Sequence, residues 1–152
     1  MREGIEIRRA RPGEEEVLTA LVLRSKASNG YDEAFMAACV AELTIPAEAI
    51  SDGEVFVAGD ETPLGMYRLI AKGELGHVED MFVDPQAKRS GVGRALWAHM
   101  EARARAFGCF RLGLDADPFA VAFYQAMGMK IVGESPSGSI PGRMLPRMEK
   151  TL

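Results

Sequence analysis

From Ile5 to Arg9 apolar and charged residues alternate, the period of a strand with one face on a core. Pro12-Gly13 and the three glutamates after it read as a helix start. Val17, Leu18, Leu21 and Val22 continue at helical spacing until Asn29-Gly30 breaks the run. A second helix is expected from Asp32 to Leu43, with Phe35, Met36, Cys39, Val40 and Leu43 on one side; Pro46 and the Ser51-Asp52-Gly53 turn close it. Glu54 to Ala58, Leu64 to Ala71 and Leu75 to Val83 read as strands joined by tight turns, an antiparallel meander. The stripe Val92, Leu96, Met100, Ala104 and Phe107 predicts a long helix stopped at Gly108. Phe110 to Leu114 reads as a strand, Pro118 to Met127 as a helix, and Met129 to Gly133 and Met144 to Glu149 as the last strands, around a Pro- and Gly-containing loop from Ser135 to Gly142. This order implies one α/β domain over residues 1–152, a mixed sheet with helices on both faces.

Composition narrows the class. With 152 residues, 47% apolar and 26% charged, the chain can bury a core and is not of disordered composition. A net charge of −4 gives no general attraction to nucleic acid or acidic membranes. No apolar run approaches the roughly 20 residues of a membrane span, and the first residues lack the apolar stretch of a secretory signal. The cytoplasm is the expected compartment. Cys39 and Cys109 stand far apart without metal-ligand spacing, so buried free thiols are expected and no metal site.

Against this acidic background, Lys88-Arg89-Ser90-Gly91-Val92-Gly93-Arg94 is a local basic exception between a strand and a helix. A turn feeding a helix start offers orphan N–H groups and the positive end of the helix dipole. Gly91 and Gly93 lack the Cβ atoms that would hold a phosphate off those amides, and Lys88, Arg89 and Arg94 add full charges. The turn reads as a diphosphate cradle. The Lys-Ser/Thr pair of a Walker loop is missing, and the third glycine of a dinucleotide fingerprint is Leu96.

Lys88-x-x-Gly91-x-Gly93 resembles the pyrophosphate loop of the Gcn5-related N-acetyltransferases (GNAT), Gln/Arg-x-x-Gly-x-Gly/Ala, with Lys in first place. The segment Asp117-Pro118-Phe119-Ala120-Val121-Ala122-Phe123-Tyr124-Gln125-Ala126-Met127-Gly128-Met129 resembles that family's Asn-x-x-Ala-x-x-Phe-Tyr-x-x-x-Gly-Phe signature, with Asp117 for Asn and Met129 for Phe. Gly76-His77-Val78-Glu79-Asp80-Met81-Phe82-Val83 resembles a strand of glucosamine-phosphate acetyltransferases in particular. The strong likeness covers about Leu75 to Gly133.

The resemblance implies a GNAT-like domain, a mostly antiparallel sheet of about six to seven strands flanked by about four helices. It also implies transfer of an acetyl group from acetyl-CoA to a primary amine of a small molecule or peptide, by direct attack on the thioester. The backbones of Met81, Phe82 and Val83 would bind pantetheine where the fourth strand parts from the fifth, and residues Lys88 to Arg94, with Ala120 and Phe123, would hold the rest of the cosubstrate. Asp117 either contacts the cosubstrate or caps the helix at Pro118. Tyr124 is the expected proton donor to the leaving thiolate. Glu79 or Asp80 is the expected base; strict alternation puts them on opposite faces, Glu79 with His77, Met81 and Val83, and so favours Glu79. Arg143 could clamp an anionic group of the acceptor, with Tyr31, Phe35 and Met36 opposite. A homodimer is possible in such a family. Two other classes stay open: an acyl-CoA-binding sensor without catalysis, and a nucleotide-binding module using the basic turn.

Overall fold

The computed structural model describes residues 4–152, so readings made on Met1 to Glu3 lie outside the described residues. Seven strands form one sheet: β1 (Ile7–Arg9), β2 (Val55–Ala58), β3 (Gly65–Lys72), β4 (Leu75–Val83), β5 (Arg111–Asp115), β6 (Lys130–Pro136) and β7 (Met144–Thr151), in the spatial order β1-β2-β3-β4-β5-β7-β6. All neighbours are antiparallel except β4 and β5. Helices α1 (Glu15–Ala27), α2 (Glu33–Leu43) and the short α3 (Ala47–Ser51) cover one face, and α4 (Val92–Ala106) and α5 (Val121–Ala126) the other. Strand alternation feeds both layers: Val55, Val57 and Met66 join the α1–α3 core, while Phe56, Ala58 and Tyr67 join the α4–α5 core.

The helix boundaries follow from local chemistry. Asp32 caps α2 by accepting the Phe35 N–H at 2.8 Å. Gly108, at φ 83°, ends α4 in a Schellman arrangement, with Gly108 N–H on the Arg105 carbonyl and Cys109 N–H on Ala104. Cys39 and Cys109 are buried free thiols.

Several expectations change. α3 was not anticipated; Pro46 precedes it rather than merely ending α2, and its single turn buries Ala49 and Ile50. Val17, Val40 and Phe107 are exposed, so the buried stripes of α1, α2 and α4 are narrower than the sequence suggests. Phe107 instead lies against the Arg103 guanidinium, 5.0 Å from ring centroid to Cζ. The segment from Pro118 divides into a 3-10 turn, Pro118–Ala120, and α5. β6 and β7 run on to Pro136 and Thr151.

Candidate active site

The site grows from a fault in the sheet. β4 and β5 pair only where Leu75–His77 faces Arg111–Gly113. Beyond His77, β4 continues to Val83 without a described strand on that edge, while β5 stays with β7 as far as Asp115. A β-bulge helps drive them apart: Arg68 pairs with Asp80 but Leu69 with Val78, so Glu79 is an extra residue and β4 bends there. The gap opens into a cleft of about 770 Å³.

The bulge also corrects the face assignment. Val78 and Met81, three positions apart, both join the α4–α5 core, which strict alternation forbids. Glu79 and Asp80 therefore need not lie on opposite faces, and both line the cleft together with His77. Their environments separate them. Glu79 is exposed, and its pairing with His77 (Oε2 to Nε2, 3.0 Å) holds its pKa below the ordinary carboxylate value. Asp80 is buried, and desolvation, with the Glu79 and Glu42 carboxylates nearby, pushes it up to about 7 despite Arg68.

That shift has a thermodynamic sign. A carboxyl whose pKa is higher folded than unfolded takes up protons on folding, so stability falls as pH rises from about 4 to about 7. Asp80→Asn is therefore expected to raise Tm above pH 7 relative to wild type. The difference should shrink towards zero near pH 4 in melts followed by circular dichroism.

The basic turn forms as expected from its residue types. Asp84 accepts the Gln86 N–H at 3.0 Å and pairs with Arg24 at 2.6 Å, fixing the 3-10 turn Pro85–Ala87 that follows β4. Arg89 (φ 66°) and Gly91 (φ 88°) both adopt left-handed backbone, reversing the chain into α4. The N–H groups of Val92, Gly93 and Arg94 open the helix and have no intrahelical acceptor. Met81, Phe82, Val83, Lys88, Arg89, Gly91, Gly93 and Arg94 line the cleft. Ser90 and Val92 do not: the Ser90 hydroxyl and N–H both turn back to the Ala87 carbonyl, and Val92 is buried in the core. Gly93 also has a packing use that the sequence does not show. A Cβ there would lie 3.0 Å from the Phe123 ring, so its bareness lets α4 approach Phe123.

Across the cleft stand Asp117, Ala120, Phe123 and Tyr124. The Tyr124 ring is wedged against Trp97 and Phe123, with centroids at 5.9 and 5.5 Å. Its hydroxyl has no hydrogen-bond partner among the described residues. Burial, reinforced by Asp117 and Asp80, pushes its pKa well above the ordinary phenol value. Tyr124 is therefore neutral throughout the physiological range.

Asp117 sits at a junction that the sequence conceals. It caps its own turn through the Phe119 N–H (2.9 Å) and also receives Lys26 Nζ (2.6 Å) and the Tyr31 hydroxyl (3.0 Å), with Arg143 at 3.9 Å. Tyr31 stacks on Phe35 at 3.9 Å and takes a 2.7 Å hydrogen bond from Arg143, whose guanidinium lies 4.8 Å from the Phe35 ring centroid. Burial works to raise the Asp117 pKa, but these donors hold it below its ordinary value. The expected wall residues Tyr31 and Phe35 thus meet Arg143, and Arg143 faces a carboxylate of its own chain. Lys26 and Glu42, both lining the cleft, were missed, since a lysine and a glutamate in the last turns of helices carry no motif.

Chemically, one cleft combines a basic turn at a helix start, a strand edge without a described partner strand, a buried carboxyl whose pKa is pushed up to about 7 and a neutral phenol. A family model described as an acetyltransferase (GNAT) domain matches residues 13–152. The chain is 34% identical over 56 residues to a glucosamine 6-phosphate N-acetyltransferase of Trypanosoma brucei brucei, a match covering 37% of this chain and 38% of that enzyme's length. It is 27% identical over 139 residues to a probable glucosamine 6-phosphate N-acetyltransferase of Oryza sativa subsp. japonica, covering 82% and 81%. The fold matches the PaiA N-acetyltransferase of Thermoplasma acidophilum, crystallised with coenzyme A, at a TM-score of 0.77 and 18% identity over 99% of this chain and 100% of that one. Enzymes of this kind take acetyl-CoA as cosubstrate. The family match, over nearly the whole chain, and the cleft agree: this protein belongs to the GNAT acetyltransferase family.

Proposed function

We propose that this chain transfers the acetyl group of acetyl-CoA to a primary amine by direct attack, with Asp80 as base and Tyr124 as acid. The observation that carries this reading is that the parted edge of β4, the α4 N-terminus, Asp80 and Tyr124 all border one cleft. The N–H groups of Val92, Gly93 and Arg94, with Lys88, Arg89 and Arg94, suit a diphosphate. The edge of β4 from Met81 to Val83 suits the pantetheine amides as a further strand would, and an N–H there can polarise the thioester carbonyl. Asp117, already engaged by Lys26 and Tyr31, holds the acceptor wall rather than the cosubstrate.

An alkylammonium with a pKa near 10 must give up a proton, which at pH 7 costs about 4 kcal/mol. Asp80, at about 7, accepts it far better than an ordinary aspartate would. Glu79, held low by His77, is the weaker candidate. Asp80 passes the ammonium proton to solvent before attack; as the amine nitrogen then bonds to the carbonyl carbon and the C–S bond breaks, Asp80 takes the second proton from nitrogen and Tyr124 donates one to the sulfur. The burial that raises the phenol also raises the basicity of the desolvated thiolate. A proton returning from Asp80 to Tyr124 through solvent closes the cycle.

Thiol release from acetyl-CoA across a panel of amines tests the proposal. Acceptor-dependent release is expected, with kcat/KM rising through an apparent pKa of about 7. Coenzyme A binding without release for any amine would leave the sensor reading instead.

A further inference from the structure

Beside the basic turn the same cleft carries an acidic group of side chains, of which Asp80 and Glu42 have no ion-pair partner among the described residues. Asp80 is only 7% exposed, lines the cleft and accepts no hydrogen bond from a described residue. Glu42, in the last turn of α2, lines the same cleft, and a Cβ on Gly138 would collide with its carboxylate, so the β6–β7 connection closes down beside it. Neither Asp80 nor Glu42 forms an ion pair with a described cation. The neighbouring cations are engaged elsewhere: Arg68 with Glu54 at 3.1 Å, Arg147 with Asp115 at 3.4 Å, and Lys26 and Arg143 with Asp117. His77 faces Glu79. Glu79 and Glu42 both act on Asp80 as like charges. Carboxylates brought together without counter-ions repel one another, and a cationic ligand relieves that repulsion. A phosphate or carboxylate on the acceptor beside Asp80 and Glu42 would meet the opposite field, since Lys88, Arg89 and Arg94 of the same cleft are assigned above to the diphosphate of the cosubstrate. Leu43, Phe82 and Leu145 add apolar lining to the same cleft.

Resting on the acetyl-transfer reading above, the geometry points to an acceptor that carries two amines on an aliphatic chain, the reacting nitrogen at Asp80 and the second ammonium at Glu42. The methylenes of such a diamine match the apolar lining, and both of its charges meet carboxylates. A sugar phosphate, the substrate named for the two relatives above, does not share this pattern.

The test compares 1,4-diaminobutane, butylamine, 4-aminobutanoate and glucosamine 6-phosphate as acceptors with saturating acetyl-CoA. The expected kcat/KM for 1,4-diaminobutane exceeds that for butylamine by about tenfold or more, with 4-aminobutanoate and glucosamine 6-phosphate below both. Glu42→Gln is expected to bring the diamine-to-butylamine ratio close to one, an internally normalised readout that a general loss of activity does not move. Equal use of butylamine, preference for glucosamine 6-phosphate, or a ratio untouched by Glu42→Gln overturns the inference while acetyl transfer stands. If no amine releases thiol, acetyl transfer itself fails, and calorimetric titration of 1,4-diaminobutane into the coenzyme A-saturated protein decides the diamine site separately. Heat that Glu42→Gln abolishes upholds the site; absence of heat overturns it.

Discussion

Gly91→Glu is expected to weaken coenzyme A binding by about a hundredfold or more, equivalent to roughly 3 kcal/mol. Gly91 stands immediately before α4 with φ 88° and ψ 0°, a left-handed conformation that an L side chain occupies at a cost of about 1 kcal/mol. The larger effect is electrostatic. A carboxylate at that position can reach the same N–H groups of Val92, Gly93 and Arg94 that suit a phosphate, so the protein would fill its own anion site. Helix capping by the new carboxylate partly offsets the backbone strain, and the variant should fold. Isothermal titration of coenzyme A checks the effect. Gly91→Ala carries the backbone strain without the charge and should lose no more than about tenfold. Affinity within a few fold of wild type in Gly91→Glu would mean that the phosphates are held elsewhere.

The second large effect is expected at Tyr124. Tyr124→Phe should lower kcat by about 10²–10⁴-fold, the usual contribution of a positioned acid or base, with the Kd for coenzyme A little changed. The substitution is a clean one. The hydroxyl has no described hydrogen-bond partner, so its removal leaves no donor or acceptor stranded, while the ring contacts with Trp97 and Phe123 remain. Tm should hold or rise slightly. Steady-state kinetics with a calorimetric check on binding separates the two parameters, and an unchanged kcat would remove Tyr124 from the chemistry.

Much of this fold is legible because its signals are local. The basic turn, the α4 stripe ending at Gly108, and the Pro118–Tyr124 segment each depend on residues within about a dozen positions of one another, where periodicity and turn chemistry speak directly. The bulge at Glu79 was illegible because only the pairing of β4 with β3 reveals it, and one inserted residue removes the alternation on which placing Glu79 and Asp80 on opposite faces depended. α3 was hidden by its length, since five residues are too few for a helical period to appear. The outward turn of Val17, Val40 and Phe107 reflects how much of each helix the sheet happens to cover. Glu42 and Lys26 acquire meaning only from tertiary neighbours. The resemblance to glucosamine-phosphate enzymes runs along one strand, whereas the acidic group in the cleft is assembled from α2, β4 and the β6–β7 connection.

The carboxylate of Asp117 has a consequence for any attempt to re-engineer this protein. Residues 26 and 31 come from the end of α1 and the link after it, and residue 143 from the far end of the chain, yet all three gather on the same anion at the start of the Pro118 turn. Grafting a foreign β6–β7 connection, or a foreign link between α1 and α2, would strand part of that charge among aromatic rings. New selectivity therefore has to be built by exchanging the four positions as a set, with the two inserts and their shared counter-charge redesigned in one step.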